Sequence, residues 1–175
     1  RLVMEGKGLL FKIYGGIDVF DIEVDEKDPE KFCEAVERIA PTFGGINLED
    51  IAAPRCFEIE QRLKEKLDIP VFHDDQHGTA VVVTAALINA CNLSGRKIED
   101  LTIVMSGAGA AGIAIAKMLL AMNVKEIIMC GSRGIICEGE PQKYSTHEEM
   151  AKITNRQHRK GTLADAFKGA DVFIG

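Results

Sequence analysis

A run of closely spaced glycines constrains the fold of this chain more than any other stretch. The run is Ser106-Gly-Ala-Gly-Ala-Ala-Gly112, and it lies between a β-branched, apolar segment at residues 101–105 and an apolar segment that ends at Met122. A G-x-G-x-x-G spacing between a strand and a helix is typical of the first turn of a dinucleotide-binding α/β unit. The pattern therefore predicts a strand, a tight turn and a helix whose N-terminus faces a ligand.

Each glycine of this motif has its own task. Gly107 permits the tight turn, Gly109 lets a pyrophosphate approach the backbone, and Gly112 lets the helix pack closely on the strand. A tight turn with a purely structural role is the alternative. We expect the whole motif to bind the cofactor, through Gly107, Ala108, Gly109, Ala110, Ala111 and Gly112.

The end of the next predicted strand bears on the choice of cofactor. In dinucleotide-binding units this strand normally ends in an acidic residue that binds the adenosine ribose hydroxyls. Here it ends Cys130-Gly131-Ser132-Arg133. No carboxylate would repel a 2′-phosphate, so we expect Ser132 and Arg133 to bind NADP at least as well as NAD. The alternative is that Arg133 is a solvated surface residue.

Strands and helices alternate along the chain, which predicts an α/β fold with parallel sheets. Strands are expected at residues 17–24, 43–49, 69–72, 101–105, 125–130 and 170–174, and helices at 3–14, 29–39, 56–67, 78–93, 110–122, 147–153 and 162–168. The helix at 78–93 is apolar on every side, which predicts a buried helix. We expect a parallel-sheet lobe over residues 1–95 and a Rossmann-type dinucleotide-binding domain over residues 96–175, both incomplete.

Two acidic pairs, Glu49-Asp50 and Asp74-Asp75, follow consecutive predicted strands. Adjacent carboxylates repel each other unless a cation or protons relieve the repulsion, and oxygen ligands suit Mg²⁺ or Mn²⁺. If Asp74 and Asp75 continue a strand, their side chains point to opposite sides and one of them ligates directly. Solvated loop ends are the alternative. For His73 and His77, hydrogen-bonding or helix-start roles are expected rather than metal ligation.

Composition narrows the class of partner. The net charge of −6 gives no basic surface for nucleic acid or a membrane, and the longest apolar run, residues 80–88, is too short to span a bilayer. Five cysteines without a Cys-x-x-Cys pair predict reduced thiols rather than disulfides or a zinc site. We therefore expect a cytoplasmic protein.

Several segments, in order along the chain, resemble the malic enzyme family in its shorter, bacterial-type form. They are Val-Met-Glu-Gly-Lys at residues 3–7, Gly-Ile-Asp-Val-Phe-Asp-Ile-Glu-Val at 16–24, Phe-Gly-Gly-Ile-Asn-Leu-Glu-Asp at 43–50, Pro-Val-Phe-His-Asp-Asp-Gln-His-Gly-Thr-Ala at 70–80, and the glycine motif. The resemblance implies oxidative decarboxylation of L-malate to pyruvate and CO₂, with a divalent metal and NAD or NADP. It makes residues 1–95 the metal and substrate lobe.

The resemblance also implies roles for single residues. Glu49, Asp50 and Asp75 would bind Mg²⁺ or Mn²⁺, Asp74 would act beside the metal, and Lys7 would be the catalytic lysine that accepts the malate hydroxyl proton. From the sequence alone, Lys7 is indistinguishable from an ordinary surface lysine.

Some features depart from the family or leave its activity open. The family's catalytic tyrosine precedes this chain and its later substrate-binding asparagines follow it, so we expect the 175 residues alone to be inactive. Gly131 stands where many relatives carry Asp, which argues against strict NAD use. Malolactic decarboxylation of malate to lactate and a noncatalytic cofactor-binding role are the alternatives, and homodimerisation is what the family suggests.

Overall fold

The computed structural model describes residues 2–142 and 144–175. The chain forms two compact units: a smaller one that runs up to Glu49 and includes Glu58–Phe72, and a larger one made of Asp50–Phe57 and His73–Gly175. The predicted domain boundary at residues 95/96 stays a prediction; the helix that precedes it belongs to the larger unit in the structure.

The elements up to residue 73 are mostly helices, with two short strands. They are α1 (Leu2–Leu10), a π-helical turn (Phe11–Gly15), α2 (Pro29–Ile39), a 3₁₀ turn (Ala40–Thr42), β1 (Ile46–Leu48), α3 (Arg55–Lys66) and β2 (Val71–His73). Strands β1 and β2 are neighbours in one sheet. The predicted helix at 3–14 is confirmed, but its end is π-helical and stops at Gly16, which has a φ of +66°.

Local sequence signals explain where α2 begins. The side chain of Asp28 accepts hydrogen bonds from the backbone N–H groups of Glu30 and Lys31, at 2.8 and 3.2 Å. Pro29 occupies the first helical position, where its missing N–H costs nothing. The predicted start of this helix at residue 29 is therefore confirmed, and the structure shows Asp28 as its cap.

The predicted strand at residues 17–24 is wrong. This segment forms no strand in the described part of the chain, and Ile17, Val19 and Phe20 are 53%, 44% and 72% exposed. β-Branched residues favour a strand only where a neighbouring backbone can pair with them. Local ties hold the segment instead, among them an ion pair of 2.6 Å between Lys12 Nζ and Asp18 Oδ1.

The larger unit contains a mostly parallel sheet with helices. Its elements are α4 (Asp74–Ser94), a 3₁₀ turn (Ile98–Asp100), β3 (Thr102–Ser106), α5 (Ala110–Ala121), β4 (Glu126–Gly131), β5 (Gly134–Ile135), α6 (Ser145–Ile153), α7 (Leu163–Ala166) and β6 (Val172–Ile174). In the described residues the strand order is β5-β4-β3-β6; β3 runs parallel to both β4 and β6, and β5 is antiparallel to β4. The predicted α/β class is confirmed.

Helix α4 differs from its prediction in two ways. It begins at Asp74, four residues early, and it is not buried on every side, because Val81 and Val82 are 53% and 64% exposed. Its other face packs in the core with α5 through Ala80 and Leu87. By length and composition, α4 could cross a membrane, although the shorter apolar run at residues 80–88 could not. One such helix is weak evidence for a membrane span, because the core helices of soluble proteins share these properties.

Candidate functional site

The glycine motif forms a tight loop between β3 and α5. Gly107 has a φ of +112°, a value that disfavours residues with a side chain, and its N–H donates to the Cys130 carbonyl at 3.0 Å. Gly109 directly precedes α5, which begins at Ala110. A Cβ on Gly112 would lie 2.1 Å from the Gly107 carbonyl oxygen. The loop can therefore close onto the helix only because residue 112 lacks a side chain.

A cavity of about 470 Å³ opens above this loop, a size that suits a cofactor fragment. Of the predicted residues, Gly107, Ala108, Gly109 and Ser132 line it. The other three residues of the motif contribute differently: Ala110 and Ala111 start α5, and Gly112 packs below the loop.

Arg133 lies in a second cavity, of about 410 Å³, which also contains Ser132 and Lys160. Its guanidinium donates to the Pro141 carbonyl at 2.7 Å, so the side chain is held rather than fully solvated. Lys160 is hydrogen-bonded to the Glu140 carboxylate, which lowers the pKa of Glu140 and raises that of Lys160. Sequence reasoning missed Lys160, because α5, β4, β5 and α6 separate it from the glycine motif along the chain.

His147 is a second residue that sequence reasoning missed. Its Nε2 lies 2.9 Å from the carbonyl oxygen of Ala108 in the glycine loop, and the ring of Tyr144 packs edge-on against it with ring centroids 5.2 Å apart. A Cβ on Gly131 would lie 3.9 Å from His147 Cε1. The imidazole thus lies beside the position where an acidic side chain at the end of β4 would project.

Cys130 is the last buried residue of β4 and lines the first cavity, the one above the glycine loop. Burial raises the pKa of its thiol, an effect that Arg159 opposes. Since the thiolate is the nucleophilic form, Cys130 is unsuited to nucleophilic chemistry at neutral pH.

Asp50 and Asp75 are brought together in the larger unit. The backbone N–H of Asp50 donates to Asp75 Oδ2 at 3.2 Å, and the two side chains offer oxygens within 4.8 Å of each other. Asp50 has a φ of +55°, an uncommon conformation for a residue other than glycine that is often found at functional sites. Glu49, the remaining predicted ligand, directly precedes Asp50 in the chain.

The condition that Asp74 and Asp75 continue a strand is not met, because both lie in the first turn of α4. At a helix N-terminus their negative charges are favoured by the exposed N–H groups and the helix dipole. Asp74 is accommodated by Gly78, where a Cβ would lie 2.2 Å from Asp74 Oδ1.

Lys7 lies in α1 of the smaller unit, and its Nζ is 3.1 Å from Glu49 Oε2. The Glu49 side chain is 8% exposed and that of Lys7 is 26% exposed, so this ion pair is largely shielded from solvent. The pair brings the predicted catalytic lysine to one of the predicted metal ligands.

The two histidines of the 70–80 segment differ in their surroundings. His73, the residue before α4, is fully buried and makes no side-chain cap for the helix. Neither of its ring nitrogens has a hydrogen-bond partner among the described residues, and Nε2 lies 3.9 Å from Asp75 Oδ2. His77 lies half-buried in α4.

Comparison with known families places both parts of the chain. Residues 1–64 match the family model described as the malic enzyme N-terminal domain, and residues 76–166 match the model described as the malic enzyme NAD binding domain.

Individual proteins resemble the chain over almost its whole length. It is 56% identical to the NAD-dependent malic enzyme of Geobacillus stearothermophilus and 53% identical to the bifunctional malic/malolactic enzyme of Bacillus subtilis, in each case over 99% of this chain. The crystal structure of the NAD-dependent malic enzyme of Thermotoga maritima matches with a TM-score of 0.96 and 50% identity over 99% of this chain. The chain spans 36%, 42% and 46% of these three proteins. Together, the two family models and these similarities show that the chain belongs to the malic enzyme family.

Proposed function

We propose that the protein carrying this chain oxidises and decarboxylates L-malate to pyruvate and CO₂, using a divalent metal and reducing NAD or NADP. The observation that carries the proposal is the ion pair of Lys7 with Glu49, at 3.1 Å. This ion pair joins a potential proton acceptor to Glu49, which directly precedes Asp50 in the chain. The backbone N–H of Asp50 in turn donates a hydrogen bond to Asp75 Oδ2. Family membership supports the same assignment.

The donor set fits a hard divalent cation. Glu49, Asp50 and Asp75 supply oxygen ligands only, which is the chemistry that Mg²⁺ and Mn²⁺ prefer. The carboxylates of Asp50 and Asp75 are close enough to share one ion. We therefore assign the metal to Glu49, Asp50 and Asp75, with Asp74 beside them.

Each part of the proposed site has a separate role in the reaction. When bound, the cation supplies a Lewis acid for the malate hydroxyl, and the nicotinamide supplies the hydride acceptor. Lys7 accepts the hydroxyl proton in its neutral amine form. The ammonium that is paired with Glu49 cannot do so, and Lys7 must therefore lose both this proton and its Glu49 partner before it acts as a general base. Asp74, at the start of α4, orients substrate groups beside the metal, and the glycine loop holds the pyrophosphate on the α5 N-terminus.

We further propose that NADP is bound at least as well as NAD. Gly131 at the end of β4 carries no carboxylate to repel a 2′-phosphate, and Ser132 and Arg133 line the adjoining cavity with a hydroxyl and a cation. Lys160 lines the same cavity, paired with the Glu140 carboxylate. A cytoplasmic location and a homodimer remain proposals drawn from composition and family.

Replacing Lys7 tests the proposed function in the full-length protein. We expect Lys7→Ala to lower kcat for malate oxidation by about 10²-fold or more, since general-base catalysis typically contributes 10²–10⁴-fold. Lys12→Ala is the matched control, because Lys12 follows α1 closely and pairs with the exposed Asp18. Equal activity of the Lys7 variant and the wild type would remove Lys7 from the mechanism; a wild type without turnover would favour a noncatalytic cofactor-binding role.

A further inference from the structure

His73 is a buried polar group whose surroundings leave it unsatisfied. Its side chain is 0% exposed, and both Nδ1 and Nε2 lack a hydrogen-bond partner among the residues that the structure describes. Buried polar groups are almost always hydrogen-bonded, because burial without a partner forfeits their bonds to water. An imidazole with two unsatisfied nitrogens therefore indicates a partner that the described contacts do not supply.

The nearest acceptor identifies that partner. His73 Nε2 lies 3.9 Å from Asp75 Oδ2, which is too long for a hydrogen bond but is bridged by a small rotation of the carboxylate. The same oxygen accepts the Asp50 backbone N–H at 3.2 Å. Oδ2 thus faces donors from the protein, which leaves Oδ1 for a cation.

We propose that His73 is a positioning residue that donates a hydrogen bond from Nε2 to Asp75 Oδ2 when Asp75 binds the divalent metal. Carboxylates that bind metals are commonly held by a hydrogen-bonding group behind them, which fixes their orientation. His73 immediately precedes α4 and is completely buried, so its ring is held in place by packing, whereas the Asp75 side chain is 43% exposed and has room to turn. This inference rests on the proposed metal site.

Metal binding by the full-length protein tests the role directly. Mn²⁺ affinity is measured by electron paramagnetic resonance of the unbound ion, together with NAD(P)H affinity by fluorescence. We expect His73→Leu to weaken Mn²⁺ binding by about 10–100-fold, as loss of such a supporting hydrogen bond typically does, and to leave cofactor affinity unchanged. His73→Gln retains an N–H near the Nε2 position and is expected to bind Mn²⁺ more tightly than the Leu variant.

A spectroscopic readout separates positioning from simple packing. With ¹⁵N-labelled histidine, addition of diamagnetic Mg²⁺ is expected to shift the Nε2 resonance of His73 as its hydrogen bond forms, and this shift should be lost in Asp75→Asn. If His73→Leu fails to fold, the comparison of His73→Gln with His73→Asn replaces it, because the shorter Asn amide does not reach Oδ2.

The outcomes distinguish the inference from the metal site itself. Wild-type Mn²⁺ binding that Asp75→Asn abolishes, combined with unchanged affinity in His73→Leu or in both amide variants, would overturn the role of His73 alone. Wild-type protein that does not bind Mn²⁺, or that binds it equally with Asp75→Asn, would overturn the proposed metal site and the inference with it.

Discussion

Two glycines are required for different reasons at the level of single atoms. A Cβ on Gly78 would lie 2.2 Å from the carboxylate oxygen Oδ1 of Asp74, and a Cβ on Gly112 would lie 2.1 Å from the backbone oxygen of Gly107. A carboxylate at the end of a side chain can rotate away, whereas the backbone of a tight loop cannot move without disturbing its neighbours. Substitutions at the two positions should therefore have different effects on stability.

Gly78→Ala is expected to displace the Asp74 carboxylate while leaving the fold intact. The helical preference for Ala over Gly, up to about 1 kcal/mol, offsets a comparable cost for the altered Asp74 rotamer. We expect kcat to fall by about 10–100-fold, because a displacement near 1 Å has effects of that order. Kinetics and urea unfolding measure the two quantities. Gly44→Ala, where a Cβ meets no atom within 4 Å in the described structure, is the control; full activity of the Gly78 variant would contradict the assignment of Asp74.

Gly109 and Gly112 form an informative pair in the glycine loop. Gly112→Ala pushes against the loop backbone, so we expect a loss of about 1–3 kcal/mol of stability together with loss of cofactor binding. Gly109→Ala adds a methyl that meets no atom within 4 Å among the described residues, yet it extends from a residue that lines the cavity. It should lower NAD(P)H affinity with little effect on stability. Fluorescence titration and thermal unfolding separate these effects, and equal cofactor affinity in Gly109→Ala and wild type would argue against this cavity as the pyrophosphate site.

Among helices, strands and turns, the features that could be predicted from the sequence are those that neighbouring residues determine. The start of a helix at residue 29, the glycine turn before α5 and the alternation of strands and helices all follow from local chemistry, and they are confirmed. The segment at 17–24 was predicted wrongly because a strand needs a partner from elsewhere in the chain. The short hairpin to β5 was missed because it depends on Gly134, which has a φ of +107°.

In the candidate site too, features set by neighbouring residues were predicted, and features that depend on distant segments were missed. The residue types at positions 49, 50, 74 and 75 indicated a cation, but Lys7 was identified through the resemblance to a family and not through its own sequence surroundings. The unsatisfied His73 and the contact of His147 with the glycine loop arise only when distant segments pack together. Neither histidine lies in a pattern that would have assigned its contact in advance.

The end of β4 and the loop after it make a prediction about cofactor choice. Arg133 and Ser132 line one cavity together with the Lys160–Glu140 ion pair, and among the described residues the unpaired charge in this set is that of Arg133. We expect NADP to bind at least as tightly as NAD. Arg133→Ala is expected to weaken NADP binding by about tenfold, the loss expected for one charge-assisted hydrogen bond, while NAD binding stays the same. Arg156→Ala, which removes an arginine that donates to the Lys125 carbonyl, is the control. Titration of wild-type protein with both cofactors comes first, and a strong preference for NAD would contradict the prediction.

A hydrogen bond between the starts of the neighbouring strands β3 and β6 leads to a prediction about stability in acid. The pKa of Asp171 is lowered by the backbone N–H of Thr102, 2.9 Å away, and by Arg96. Because the folded pKa lies below the unfolded value of about 4, Asp171 stabilises the fold above pH 4 and this contribution is lost as the pH falls through the folded pKa.

Asp171→Asn should therefore lower the free energy of unfolding at pH 7 and reduce the loss of stability as the pH falls from about 5 through the folded pKa of Asp171. Urea unfolding at several pH values measures both effects, and Asp68→Asn, at an exposed position, is the control for the change in net charge. A variant with the same acid dependence as the wild type would show that the Asp171 contacts do not contribute.

At the scale of the whole molecule, the chain combines the matches to two family domains but spans less than half of the relatives with which it was compared. Its activity is therefore a property to be measured on the full-length protein. The relative from Bacillus subtilis is called a bifunctional malic/malolactic enzyme, which makes the identity of the product the informative quantity.

Analysis of the products formed by the full-length protein is the most direct test of oxidative decarboxylation of malate. The protein is incubated with L-malate and NAD or NADP, with and without Mn²⁺, and pyruvate, lactate and reduced cofactor are quantified. We expect equal amounts of pyruvate and reduced cofactor, formed only when Mn²⁺ is present. Lactate without net reduction of the cofactor would contradict oxidative decarboxylation, and turnover that does not depend on a divalent metal would contradict the role assigned to Glu49, Asp50 and Asp75.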